Sequence, residues 1–152
     1  PNPEHGRVLF DDFETSRLRD WEFTGRAWGD GSVSAPPQSQ HPVGGYLGGR
    51  FMNSFRGGDQ ATGTARSPQF TLKHPEMHLR VGGGRDEHKL RVELRDASGA
   101  VIRSATGRNS ETLRHVTWQL GERVGERLRI VLVDESSGGW GHLLVDGIYT
   151  SK

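Results

Sequence analysis

"HKLRVELRD", residues 88–96, alternates without a break: Leu90, Val92 and Leu94 share one parity, while Arg91, Glu93 and Arg95 share the other. Successive side chains of a β-strand point to opposite faces, so this stretch predicts a half-buried antiparallel strand with the leucines and valine inward and the charges in water. "DASGAV" (96–101) then reads as a hairpin turn leading into a second strand, "AVIRSAT". Working outward, "RLRIVLVD" (127–134) is apolar on both parities in its second half, as expected of a central strand covered on both sides. "RVLFDDFE" (7–14), "WEFTGRAWG" (21–29) and "GRFMNSF" (49–55) are further short candidates. "ATGTARSPQFTL" (61–72) is another, interrupted at Pro68, which lacks the N–H an interior strand position requires.

One segment admits two periods. In "NSETLRHVTWQLGERVGERL", Leu113, Val116, Leu120 and Val124 fit a helix with Ser110 as its cap, whereas Val116, Trp118 and Leu120 alternate. Gly121 and Gly125 interrupt a helix, so a strand over 114–120 is the expectation. Residues 30–48, rich in Pro and Gly, predict a long loop. Short strands separated by the chain's 22 glycines indicate an all-β sandwich of two antiparallel sheets.

The composition sets outer bounds. A chain of 152 residues makes one domain, 1–152, and buries roughly 68–70% of its unfolded surface. It has no cysteine, which excludes disulfides and thiolate chemistry. A net charge of +1 without a block of like charge disfavours nucleic acid, and no apolar run is long enough to span a bilayer. Because the chain begins at Pro1, it is expected to be a trimmed or mature product from a larger protein.

For chemistry, the decisive stretch is "DESSGGWGHLLVDGI" (134–148). Trp140, His142, Leu144 and Asp146 share a parity, so one strand face would carry an aromatic ring, an imidazole and a carboxylate. Together with "VGGGRDEHKL" (81–90), it suits carbohydrate recognition: an aromatic plate for the apolar face of a sugar and a hydrogen-bonding rim that includes Arg85 and His88. In the competing reading Trp140 is a core residue and Gly82 to Gly84 form a bulge.

Enzyme motifs are absent: there is no Gly-x-Ser-x-Gly elbow, phosphate-binding glycine loop or His-Glu-x-x-His signature. His74 and His78 are four apart, but Pro75 argues against the helix that would join them. Two of the carboxylates Asp11, Asp12, Glu14, Asp134, Glu135 and Asp146 would suffice for a glycan hydrolase, which keeps that class open. The same residue types suit a structural Ca²⁺, with Glu14, Asp59 and Asp146 as its expected ligands if the terminal strands pair.

Taken in order, "FDDFE", "TGRAWG", "GGRFMNSFRGGDQATGTARSPQF", "RVGGG", "SATGRNSETLRHVTWQL" and "VDESSGGWGHLLVDGI" resemble the noncatalytic β-sandwich modules of bacterial secreted glycoside hydrolases. The likeness is strongest to accessory modules of family 32 fructan-active enzymes and to modules of planctomycete secreted proteins. The resemblance implies a galactose-binding-like jelly roll and a noncatalytic role in binding a polysaccharide or oligosaccharide, in a secreted, periplasmic or cell-surface parent whose other domains are partners. By position it marks Asn53, Ser54, Gly82, Gly83, Gly84, His88, Asn109, Glu111, Arg114, Trp140, Gly141 and His142. It departs from the pattern at "RDEH", where His88 stands four residues beyond the last glycine. A structural or protein-interaction domain without a sugar ligand is the alternative.

Overall fold

The computed structural model describes residues 8–11 (backbone), 13–14, 18, 20–29, 31–34, 40, 42–46, 48–55 and 60–152. In chain order the strands are β1 (Val8–Asp11), β2 (Glu22–Gly25), β3 (Met52–Asn53), β4 (Gly63–Arg66), β5 (Phe70–Thr71), β6 (Glu76–Gly83), β7 (Leu90–Asp96), β8 (Val101–Ala105), β9 (Ser110–Gln119), β10 (Arg127–Asp134) and β11 (Leu143–Ser151). A single 3₁₀ turn, Gly121–Arg123, is the one helical element among the described residues.

These strands form two antiparallel sheets, as the alternation predicts. The first runs β1-β11-β6-β9, with β3 also on β11; the second runs β2-β4-β10-β7-β8, with β5 also on β10. Between them lies the main core. Met77, Leu79 and Val81 of β6 and Leu143, Val145 and Ile148 of β11 face Leu90, Val92 and Leu94 of β7 and Leu128, Ile130 and Leu132 of β10. Burying a side chain of this size is worth roughly 1.5–3 kcal/mol, so the four central strands carry much of the fold's stability.

Several expectations meet particular outcomes. β10 is central, paired with β4, β5 and β7, and Val131 and Val133 on its second parity are buried too. The Pro68 interruption separates β4 from β5, and the expected hairpin joins β7 to β8, its turn ending one residue earlier than expected because Val101 already belongs to β8. The ambiguous segment is a strand, longer than expected: β9 starts at Ser110 because its register with β6 runs from Glu76↔Gln119 to Gly83↔Ser110.

Glu93 departs from its prediction. It is buried rather than facing water, because the side chains of Arg91 and Arg95 fold over it and both bond its carboxylate. The terminal strands do pair, β1 on β11. In "VDGI" the register of β11 on β6 slips at Gly147, whose φ of 53° is left-handed, and the slip returns Ile148 to the core beside Val145.

The described part of 30–48 lies over the outer face of the first sheet. Val33 bridges Phe51, and Gly44 bridges Thr112 in parallel. Phe51, Leu113 and Leu144 thereby form a second small core with Val33, Val43 and Tyr46. The polar face read at 140–146 is not open: His142 and Asp146 share an outward parity with Leu144, but all three are buried.

Candidate functional site

Three connections meet at one end of the sandwich: β6 to β7 (84–89), β8 to β9 (106–109) and β10 to β11 (135–142). Glycine is what lets them meet. A Cβ on Gly84 would lie 2.0 Å from the Trp140 carbonyl oxygen, one on Gly83 2.4 Å from that of His142, and one on Gly107 2.3 Å from that of Gly83. Backbone bonds close the cluster: Gly84 N–H donates to His142 O at 2.9 Å, and Gly107 N–H donates to Gly84 O at 3.1 Å. The triple glycine does allow a close approach, and what approaches is the neighbouring backbone.

Trp140 stands at the tip. Gly141 N–H donates back to Gly138 O, and His142 N–H to Trp140 O, each at 2.9 Å, which forces Trp140 to a φ of 57°. Of the four tryptophans, Trp21, Trp28 and Trp118 are buried, whereas Trp140 is 37% exposed. Its ring stacks on that of His142, with centroids 5.6 Å apart and planes 23° apart. His142 in turn stands edge-on to Phe55 at 5.1 Å, and its Nε2 is 2.6 Å from Oε1 of the buried Glu111. The platform therefore rests on a packed polar support rather than on solvent.

Beside it the 85–88 loop bounds an open depression of about 290 Å³ lined by Arg85, Asp86, Glu87, His88 and Thr106. Asp86 Oδ1 accepts from the N–H groups of His88 and Lys89, at 3.1 Å each, which shapes the loop. Thr106 fastens it: its hydroxyl accepts from Asp86 N–H at 3.1 Å and donates to Gly84 O at 3.2 Å. Asn109, itself at a φ of 58°, accepts from Arg85 N–H at 2.8 Å through its side-chain oxygen. Arg114 Nη1 donates to Thr106 O at 2.8 Å. Burial, and then the nearby Arg108 cation, hold the Arg114 guanidinium below its ordinary pKa.

The structure thus brings the expected ligand residues to one end but divides them by depth. Arg85, His88, Asn109 and Trp140 are exposed, and Arg114 is half-buried. Asn53, Gly82, Gly83, Gly84, Glu111 and His142 are buried and engaged within the protein. Asn53 holds the support in place: its Oδ1 accepts from Phe55 N–H at 2.9 Å and its Nδ2 donates to Gln40 Oε1 at 2.8 Å. Ser54 Oγ accepts from Leu143 N–H at 2.7 Å. Thr106, Arg108 and Phe55 belong to the site but were not singled out; the turn "ATGRN" between two alternating runs is the signal that could have marked the first two.

Of the three expected calcium ligands, the described residues include Glu14 and Asp146. Glu14 accepts from Gly49 N–H (2.6 Å) and Arg50 N–H (2.9 Å), one on each carboxylate oxygen. Asp146 is buried on β11 in register with Arg80, and Asp59 lies outside the described residues. Of the candidate hydrolytic acids, Asp134 and Asp146 are fully buried and Glu135 pairs with Arg91 at 3.2 Å. The side chains of Asp11 and Asp12 lie outside the described residues.

No protein-family model matches this chain. A curated protein of Aspergillus rugulosus described as "Putative glycosyl hydrolase ecdE" is 32% identical over 148 residues; the match covers 95% of this chain and 21% of that protein, so the chain spans about a fifth of its length. Among solved structures, TmCBM61 in complex with β-1,4-galactotriose superposes with a TM-score of 0.59 at 17% identity, covering 94% of this chain and 96% of that one. The family 11 carbohydrate-binding module of Clostridium thermocellum, in complex with a β-1,3-1,4-mixed-linked tetrasaccharide, gives 0.52 at 14% identity, covering 96% and 95%. At these identities the likeness is one of fold: the chain has the β-sandwich architecture that carbohydrate-binding modules also use.

Proposed function

We propose that this chain is a noncatalytic carbohydrate-binding module that keeps a larger, secreted or surface-exposed glycan-acting protein on its polysaccharide. The observation that carries this reading is Trp140, the exposed tryptophan of the four, stacked on the buried His142–Glu111 pair at the same end of the sandwich as the 85–88 loop. An exposed indole plate of this kind stacks on the apolar face of a sugar ring, and the side chains of Arg85, His88 and Asn109 supply hydrogen bonds to hydroxyls. Glu111 and His142 act beneath the plate, and Asn53 and Gly82 to Gly84 hold the connections that carry it. Support also comes from the two sugar-bound modules of like fold and from the relative named as a putative glycosyl hydrolase, and the resemblance to accessory modules of fructan-active enzymes belongs to the same reading.

Such single-site contacts give Kd values of roughly micromolar to millimolar, about −8 to −4 kcal/mol, and act through effective concentration on a polymer. Native affinity electrophoresis through levan, inulin, galactan and xylan gels tests the reading. Retardation of the wild type and its loss in Trp140→Ala, with an unchanged circular dichroism spectrum, is the expected result. Equal mobility of the two proteins in every gel overturns it.

A further inference from the structure

The outer face of the first sheet carries a histidine pair about 17 Å along β6 from Gly83, where the connection bearing Trp140 packs. Glu76, His78 and Arg80 of β6 take the parity opposite to the core residues Met77, Leu79 and Val81, and the register sets them beside Gln119, Thr117 and His115 of β9. His78 and His115 are therefore diagonal neighbours on adjacent strands, with ring centroids 5.2 Å apart. His78 Nδ1 is 3.1 Å from His115 Nε2 and 3.2 Å from Thr117 Oγ1. His78 is buried and His115 exposed, so one ring is held by the sheet and the other is reached from solvent.

The tautomer of His78 follows from its neighbours. Ser151 Oγ donates to Glu76 Oε1 at 3.3 Å, so at 2.8 Å it accepts from His78 Nε2–H. With its proton on Nε2, the neutral imidazole directs the Nδ1 lone pair toward His115. Gln119 Nε2 donates to the other oxygen of Glu76 at 2.8 Å and steadies the carboxylate that ends this chain of bonds. A far ring N–H tied down in this way, through a hydroxyl to a carboxylate, orients a histidine for metal ligation.

Two imidazole nitrogens, each about 2.0–2.1 Å from one ion, stand about 2.9 Å apart at a right angle and about 3.3 Å apart at the tetrahedral angle. The separation of 3.1 Å falls between these limits. We propose that His78 Nδ1 and His115 Nε2 chelate one divalent transition-metal ion of the class that imidazole prefers, Cu²⁺, Ni²⁺ or Zn²⁺. On binding, His115 moves its proton from Nε2 to Nδ1, so that both facing nitrogens offer lone pairs and the pair stays neutral. The charged groups on the same rows of this face, Glu76, Arg80 and Asp146, leave one negative charge over and do not oppose a dication. Among the described residues no third His, Cys, Asp or Glu joins the two rings, so water completes the shell and Kd is roughly micromolar. The site does not depend on the sugar-binding reading.

Calorimetric titration of the tag-free chain with Cu²⁺ and with Zn²⁺ at about pH 7 tests the proposal, with His115→Ala as the deciding variant because His115 is exposed and its loss leaves the core intact. One ion per chain is expected. His115→Ala, with an unchanged circular dichroism spectrum, should weaken binding at least about tenfold, whereas His74→Ala and His88→Ala leave it unchanged. Lowering the pH to about 5, where imidazoles take up protons, should also weaken binding about tenfold or more. Electron paramagnetic resonance at one equivalent of Cu²⁺ should show coupling to two nitrogens. Equal binding by the wild type and His115→Ala places the ion on other groups and overturns the site. Coupling to fewer than two nitrogens, or no heat with either ion, overturns it as well.

Discussion

Gly84→Ala puts the geometry of the site under the most direct strain. An added Cβ meets the Trp140 carbonyl oxygen at 2.0 Å and Leu90 Cδ1 at 2.7 Å. Leu90 can rotate aside; the carbonyl cannot, since it belongs to the turn that His142 N–H closes. The methyl must push the 138–142 connection away from β6 and stretch the Gly84–His142 bond. Overpacking of this kind costs about 1–3 kcal/mol and a weakened hydrogen bond about 1 more, against roughly 0.4–1 kcal/mol regained because alanine restricts the unfolded chain. The net is about 2–3 kcal/mol, which for a chain of this length lowers Tm by roughly 4–12 °C. Gly138→Ala is the control in the same connection, because nothing lies within 4 Å of its Cβ position; its effect should stay within about 0.5 kcal/mol. Scanning calorimetry of the two variants decides the matter. Equal melting temperatures would refute the claim that backbone contact at Gly84 holds Trp140 in place.

Three further outcomes are expected. Glu93→Gln removes the buried carboxylate shared by Arg91 and Arg95, and should lower stability by about 2 kcal/mol in urea titrations, below the range for fully buried pairs because both arginines are partly solvated. Burial alone would lower the Arg91 pKa, but the hydrogen bond and charge of Glu93, with Glu135, raise it instead. Asp96 is held below the usual carboxylate range first by the Ser98 hydroxyl and then by Ala100 N–H; its contribution is present above its unfolded pKa of about 3.9 and fades as pH falls through the lower folded value, so Asp96→Asn should flatten the decline of Tm with pH below about 4. Glu14→Gln weakens the clasp on Gly49 and Arg50 by about 1 kcal/mol; chelation with EDTA tests the expected calcium, which a fall in the wild-type Tm supports and an unchanged Tm removes.

The sheets were legible wherever a strand keeps one parity apolar. β7 and β10 are such strands, since Leu90, Val92 and Leu94, and Leu128, Ile130 and Leu132, all point into one core. Glu93 misled because alternation tells which side of a sheet a residue faces but not whether arginine stems will cover it. β3 and β5, two residues each, are too short to show a period. The site was half legible. Glycines around Trp140 signalled exposure and close approach, but local spacing could not show that Glu111, 31 residues away, would hold His142, or that Val33, Val43 and Tyr46 would pack with Leu113 and Leu144. Both depend on pairing between distant segments.

The distribution of local cost is itself informative. Three described residues other than glycine adopt left-handed backbone, Phe13, Asn109 and Trp140, and two of them stand in connections at the same end of the sandwich. Such a conformation costs a non-glycine residue of order 1 kcal/mol or more, and exposing an indole forgoes burial that the other three tryptophans obtain. A scaffold that needed only a turn would place glycine at 140, as it does at 138, 139 and 141. Instead the chain keeps a large aromatic there, fixes the ring beneath it with Glu111 and Phe55, and uses Asn109 to hold Arg85 alongside. Rigid support under an exposed, costly side chain is what a pre-organised binding surface requires, because a plate already in position loses little entropy when a weak ligand arrives.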